Sequence, residues 1–258
     1  MNLRKICLAV TGLAVCFLIM GPATGEIEGR GFVGKLGLEM SSSYVWRGIN
    51  KSDDLVIAPT VAIEIDKPKI STRLWSNVNL SGSDSGELTE VHFTADWLIE
   101  FRDFGITIGG IYYNYATNVK YASLLHSIDD TAEAFARIEW LGGIDIIPSV
   151  TVYYDIDKVE GFYGEVGFEY APPNYGNIEY GFSTSLGYAS SDWNNYYFEI
   201  NDSTFVNLNI KGYMRWPIDE HVFVTPYVAY STVVDGDIQN KLSDEANLYA
   251  GVGVVMEF

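Results

Sequence analysis

From Phe32 to Phe258 apolar and polar residues alternate with a period of two, the mark of strands with two chemically different faces. Val206, Leu208, Ile210, Gly212, Met214 and Trp216 fall on one face of such a strand, and Asn207, Asn209, Lys211, Tyr213 and Arg215 on the other. Likewise Val91, Phe93, Ala95, Trp97, Ile99 and Phe101 oppose Glu90, His92, Thr94, Asp96 and Glu100. The pattern predicts twelve strands, near 32–46, 55–66, 69–80, 88–101, 105–116, 131–140, 146–155, 161–171, 177–189, 204–216, 221–232 and 247–258. No apolar face carries a charge. The best helical candidate, 119–130, amounts to a piece of loop.

The connections sort by length. Short ones at 67–68, 102–104, 141–145, 172–176 and 217–220 alternate with generally longer ones at 47–54, 81–87, 117–130, 156–160, 190–203 and 233–246. An even-stranded, up-and-down transmembrane barrel with both termini in the periplasm gives that alternation, with short periplasmic turns and longer outer loops. Only 156–160 is shorter than its side of the barrel leads one to expect.

Alternation alone leaves open which face points inward, and three features choose. Small residues on the polar face (Gly181, Ser183, Ser185, Gly187, Gly251, Gly253) suit a crowded lumen better than an open surface. Aromatic residues gather near strand ends, at Tyr44, Trp46, Phe101, Trp140, Tyr170, Tyr188, Trp216, Tyr230 and Phe258, as interfacial girdles require. The chain also ends on Phe258 with an aliphatic residue at every second position before it, like the C-terminal strand that the outer-membrane assembly machinery reads. The reading is therefore an all-β, transmembrane antiparallel barrel with the apolar face outward, in contact with outer-membrane lipid and lipopolysaccharide.

The N-terminus agrees. Arg4 and Lys5 precede an apolar run over 6–20, and Ala23 and Gly25 stand at −3 and −1 of a cut after Gly25. This predicts a signal peptide over 1–25 and a barrel over 26–258. Both cysteines, Cys7 and Cys16, lie in the signal, so neither a disulfide nor thiol chemistry is expected of the exported chain. The chain has 34 acidic and 16 basic residues; losing Arg4 and Lys5 leaves 34 against 14, a net charge of −20. Such a surface repels phosphates, which argues against nucleic-acid binding.

Ser43-Tyr44-Val45-Trp46-Arg47-Gly48-Ile49 with Ser52, then Leu74-Trp75-Ser76-Asn77-Val78 with Glu87, then Tyr112-Tyr113-Asn114-Tyr115 and Glu133, resemble the TorF-type porin family. The resemblance implies an outer-membrane barrel called a porin by its fold. It supplies neither a solute nor a catalytic residue.

Function is expected in the lumen. Its acids are Glu39, Glu64, Asp66, Glu90, Asp96, Glu100, Glu133, Glu139, Asp155, Glu165, Glu169, Glu179 and Glu257, and its bases Lys35, Arg47, Arg73, Arg137, Lys211 and Arg215. Thirteen against six favours cations in a water-filled pore. The first expectation is passive diffusion of small cationic or neutral solutes, with His92 also facing the bore. The alternative is a plugged, structural or ligand-binding barrel, because twelve strands lie between filled and open bores. Trp193, Tyr196, Tyr197 and Phe198, in the fifth long loop, form a candidate lid. No enzyme is expected: among His92, His126 and His221 none stands in a recognisable nucleophilic arrangement. No metal or cofactor site is expected either, since Asp235-Gly236-Asp237 and Asp53-Asp54 lack the spacing of a full calcium loop.

Overall fold

The computed structural model describes residues 31–81, 85–116, 129–143 and 145–258. The expected signal peptide, its cysteines and His126 fall outside them. Twelve strands close into one antiparallel barrel. They are β1 (Phe32–Ser41), β4 (Val56–Ile65), β5 (Ile70–Asn79), β6 (Leu88–Phe101), β7 (Phe104–Tyr115), β8 (Thr131–Trp140), β9 (Ile146–Asp155), β10 (Phe162–Tyr170), β11 (Glu179–Ala189), β12 (Thr204–Pro217), β13 (Val222–Val233) and β14 (Ala246–Glu257). Closure is between β1 and β14, with Lys35 opposite Glu257 and Ser41 opposite Gly251, so no edge of the barrel is left unpaired. The connections after β4, β6, β8, β10 and β12 are short and share one end of the barrel, the turn end; the longer ones share the other, the loop end.

The barrel is inverted relative to a soluble one. Leu38, Ile63, Phe93, Trp97, Ile138, Val150, Val166 and Val228 are all exposed on the outside. The buried residues of the wall include Asn77, Glu90, Glu133, Asp155, Asn207 and Ser231. An apolar belt around a closed barrel is stable where lipid, not water, touches it. No described helix is long and apolar enough to cross a membrane; the crossing elements are strands, in a β-barrel of the outer-membrane type. Inside, Gly181, Gly187 and Gly251 lie against the side chains of Tyr213, Tyr163 and Tyr227, and a Cβ at any of them would collide.

Three details depart from the sequence pattern. The first strand leaves the wall at Ser41, whose hydroxyl donates to the carbonyl of Ser43 at 2.8 Å, so β1 pairs directly with β4. Tyr44 and Trp46, expected in an outer girdle, therefore turn inward. Between Leu186 and Tyr188 the register of β11 against β12 shifts, and Val206 and Asn207 are both fully buried; Val206 was expected to face lipid. The connection 156–160 stays compact because Asp155 Oδ1 accepts from the backbone N–H groups of Asp157, Lys158 and Val159.

Ile210 sits midway along β12 and is exposed. Ile210→Lys is expected to cost about 2–4 kcal/mol, the range for a lysine at the bilayer midplane. Ser183→Lys, on the lumen face of β11, is expected to cost less. Reversible urea unfolding in lipid vesicles compares the two; equal costs would contradict the assigned faces.

Candidate channel and its closure

The residues between β1 and β4 build a second, separate sheet. β2 (Tyr44–Trp46) and β3 (Ile49–Ser52) pair only with each other. Arg47 and Gly48 connect them with φ of +50° and +82°, the left-handed pair that a tight two-residue hairpin turn demands. Glycine meets that demand freely, and at this position a Cβ would also press on Asn207. For Arg47 the same backbone is disfavoured by roughly 1–2 kcal/mol, so its partners must hold it there. The hairpin folds into the lumen rather than over it: Ile49, Asn50, Lys51 and Ser52 are all buried.

Its two cations meet two carboxylates of the wall. Arg47 donates from both terminal nitrogens to Glu133 on β8, at 2.6 and 2.7 Å, a bidentate pair. The guanidinium also lies 4.3–4.5 Å from the ring centres of Trp46, Tyr153 and Tyr163. Lys51 Nζ donates to Glu90 Oε1 on β6 at 2.9 Å, and neither side chain has any exposed surface. The other Glu90 oxygen is held by the Tyr44 hydroxyl at 3.1 Å and by His92 Nε2 at 2.8 Å, while the Tyr113 hydroxyl donates to Glu133 at 2.8 Å. Each charge is matched and each carboxylate accepts three hydrogen bonds, which makes it possible to bury the ion pairs at tolerable cost. The cluster forms a seal across the loop-end half of the lumen.

A helix completes it. α1 (Ser191–Phe198) is capped by Ser190, whose hydroxyl accepts from the Trp193 backbone N–H, and stopped by Glu199 at φ +58°. Gly161 lets it approach: a Cβ there would lie 2.6 Å from the Trp193 nitrogen. Trp193, Tyr197 and Phe198 are buried and form one apolar cluster with Ile49, Tyr113, Tyr115 and Tyr163. Trp193 and Tyr197 both pack against Trp46 of the hairpin. Tyr196 lies at the margin of the cluster, its hydroxyl accepting from the Asp129 backbone N–H at 3.3 Å. The candidate lid is thus an inward-packed wedge.

On the turn-end side of this seal the lumen is open. Two cavities of about 530 and 540 Å³ share Glu64 and Arg73 and together form a vestibule. Asp96 lines the first, and Lys35, Glu39, Arg215 and Glu257 the second. Lys35 pairs with Glu64 at 2.9 Å, and Arg215 bridges Glu179 and Glu257 at 3.0 and 3.4 Å. Arg137 pairs with Glu139 on the same strand at 2.9 Å. The Tyr163 hydroxyl donates to Glu165 at 3.1 Å, and Tyr213 donates to Glu169. Lys211 lies over the Tyr227 ring, 3.9 Å from its centre.

Three residues expected to line an ion path stand in the buried cluster. Glu90, His92 and Glu133 are built into the seal, because the hairpin brings cations to them. Glu100 stands at the turn-end rim, in an exposed pair with Lys69 at 2.7 Å. Sequence reasoning missed Lys51 altogether and placed it in an outer loop. The available signal was two bases, Arg47 and Lys51, four residues apart in one short connection just after Tyr44 and Trp46.

Lys51→Met leaves Glu90 buried without its cation and is expected to cost about 3–5 kcal/mol. Adding Glu90→Gln is expected to return a large part of that loss, so the two effects will not add. Unfolding of the three variants in lipid vesicles measures the coupling, and strict additivity would contradict the pairing.

Among curated proteins none matches the sequence. Among solved structures, the NanC porin matches with a TM-score of 0.55 and 11% identity, over 86% of this chain and 98% of that one. The KdgM porin in complex with disordered oligogalacturonate matches with a TM-score of 0.50 and 12% identity, over 88% and 99%. At such identities the likeness is one of fold, that of outer-membrane porins. The family model that matches, over residues 36–258, is that of the MltA-interacting protein MipA, so the TorF-type resemblance is not what the match supports. The chain belongs to the MltA-interacting protein MipA family.

Proposed function

We propose that this protein is a porin-like channel of the outer membrane whose lumen is held shut at the outer end by the β2–β3 hairpin and α1. In this reading the loop end faces outside, and the turns and both termini face the periplasm, after removal of a signal peptide over 1–25. The barrel assembly machinery reads the last strand through Phe258, whose main chain bonds Gly34 in both directions at 2.8 and 2.9 Å. The observation that carries the proposal is the contrast within one lumen: a closely packed, charge-paired half and a half with open cavities. A simple structural barrel has no use for the second, and a permanently open pore no use for the first.

The solutes proposed are small and neutral or cationic. In the vestibule Glu39, Glu64, Asp66, Asp96 and Glu257 stand against Lys35, Lys69, Arg73 and Arg215, and Glu179 adds a further carboxylate beside Arg215. Carboxylate excess in a narrow, wet bore favours cations. No catalytic role is proposed for any of these residues. A second reading draws on the same seal: a non-conducting barrel that serves as a platform for a protein, as the family's description, MltA-interacting protein, says of that family.

Deleting the hairpin tip, 46–50, is expected to turn rare or absent conductance steps in a planar bilayer into regular ones, and deleting 192–200 to raise conductance as well. Folded deletion variants that stay silent would remove the channel reading and favour the platform. In the opened variant, Glu64→Gln with Asp96→Asn is expected to shift the reversal potential in a potassium chloride gradient toward zero. An unchanged potential would take both carboxylates out of the ion path.

A further inference from the structure

On the vestibule side of the hairpin lies a blind pocket of about 130 Å³. It shares Glu39 and Trp75 with the 540 Å³ cavity and so forms the closed end of the vestibule. Aromatic side chains make much of its wall: Tyr44 from the hairpin, Trp75, Tyr227 and Tyr249 from three strands. Polar groups stand between them. Asn77 is 1% exposed; its Nδ2 donates to Thr89 at 2.8 Å, while its buried Oδ1 accepts nothing. Lys211 makes no ion pair among the described residues and rests on the Tyr227 ring. Glu39 accepts from the Tyr227 hydroxyl at 2.6 Å through one oxygen, leaving the other for an occupant.

A buried amide oxygen without a donor is costly and calls for a hydroxyl or amide hydrogen. Glu39 and Lys211 balance in charge, so a net charge on the occupant gains little there. The aromatic walls favour C–H surface, and the amide, carboxylate and ammonium favour hydroxyl groups at its edge. A pyranose ring carries both, with C–H bonds on its faces and hydroxyls around its rim. The pocket alone is below the roughly 300 Å³ at which ligand sites begin, but with the vestibule it exceeds that value, so one ring can occupy the blind end while its remainder stays in the wider cavity.

We propose that this pocket binds a neutral monosaccharide unit, entering from the vestibule. The inference rests on the channel reading for the solute's route and deepens it by naming the solute's class. Its test reads binding, not conductance. The full-length barrel, folded in detergent, is titrated with D-glucose, D-galactose and D-glucuronate, followed by calorimetry and saturation-transfer NMR. The neutral sugars are expected to bind in the millimolar range, and Lys211→Met and Asn77→Leu each to weaken them at least fivefold, with circular dichroism confirming an intact barrel. Failure of both neutral sugars to bind the folded wild type would overturn the proposal, leaving a pocket that holds water alone. So would glucuronate binding tenfold tighter than glucose, or neutral-sugar binding unchanged in both variants. Sugar binding by a barrel that never conducts would overturn the channel and leave this site standing; conduction without binding would do the reverse.

Discussion

Lys51 and Arg47 are buried inside the barrel, and a carboxylate on its wall faces each of them: Glu90 at 2.9 Å, Glu133 at 2.6 and 2.7 Å. Every other feature of the loop end follows from accommodating these two pairs. The hairpin must leave the wall to deliver the cations, which is why β1 stops at Ser41 and pairs with β4. Arg47 must accept a left-handed backbone to reach across the lumen. Tyr44, His92 and Tyr113 must turn inward to complete the carboxylates' hydrogen bonds. A buried ion pair contributes little net stability compared with an apolar replacement, but it is demanding about geometry. That makes it suited to fixing one position of a loop that would otherwise have many.

The lumen consequently has a packed half and a half with cavities. At the loop end it resembles the interior of a soluble protein, where Trp193, Tyr197 and Phe198 form one buried cluster with Trp46 and Ile49. At the turn end the pairs Lys35–Glu64 and Arg215–Glu257 are partly exposed and screened, and the cavities between them are large enough for ordered water and a small solute. Because the outside of the barrel is lipid-facing, no hydrophobic drive holds the wall together by its outer face. Ladder hydrogen bonds and the inward-packed seal take that part.

The wall was legible in the sequence. Period-two alternation, charge-free apolar faces and connections sorted by length identified twelve strands and their outward face, because a bilayer imposes all three on every strand at once. The departures occur where a single local bond overrides the pattern. Nothing in the alternation of 32–46 marks Ser41 as the point of exit; the Ser41–Ser43 hydrogen bond does so only once the chain has turned. The partners of Glu90 and Glu133 were equally hidden, since Lys51 and Arg47 lie 39 and 86 residues away along the chain. Lumen-facing parity was right for both carboxylates, but parity carries no information on whether a lumen position is wet or sealed. Aromatic composition marked the fifth long loop, whereas its inward packing depends on the close approach at Gly161.

The claim that the hairpin seals the lumen can be met directly with a thiol probe, since Cys7 and Cys16 are the chain's only cysteines and both lie in the expected signal. Ser185 faces the lumen on β11, where its hydroxyl meets Glu165 at 3.4 Å. In a Ser185→Cys variant, a membrane-impermeant maleimide added to intact cells is predicted to label slowly while the hairpin is whole and rapidly once 46–50 are deleted. Rapid labelling with the hairpin intact would mean that the lumen is open from outside, and the account of the seal would be wrong.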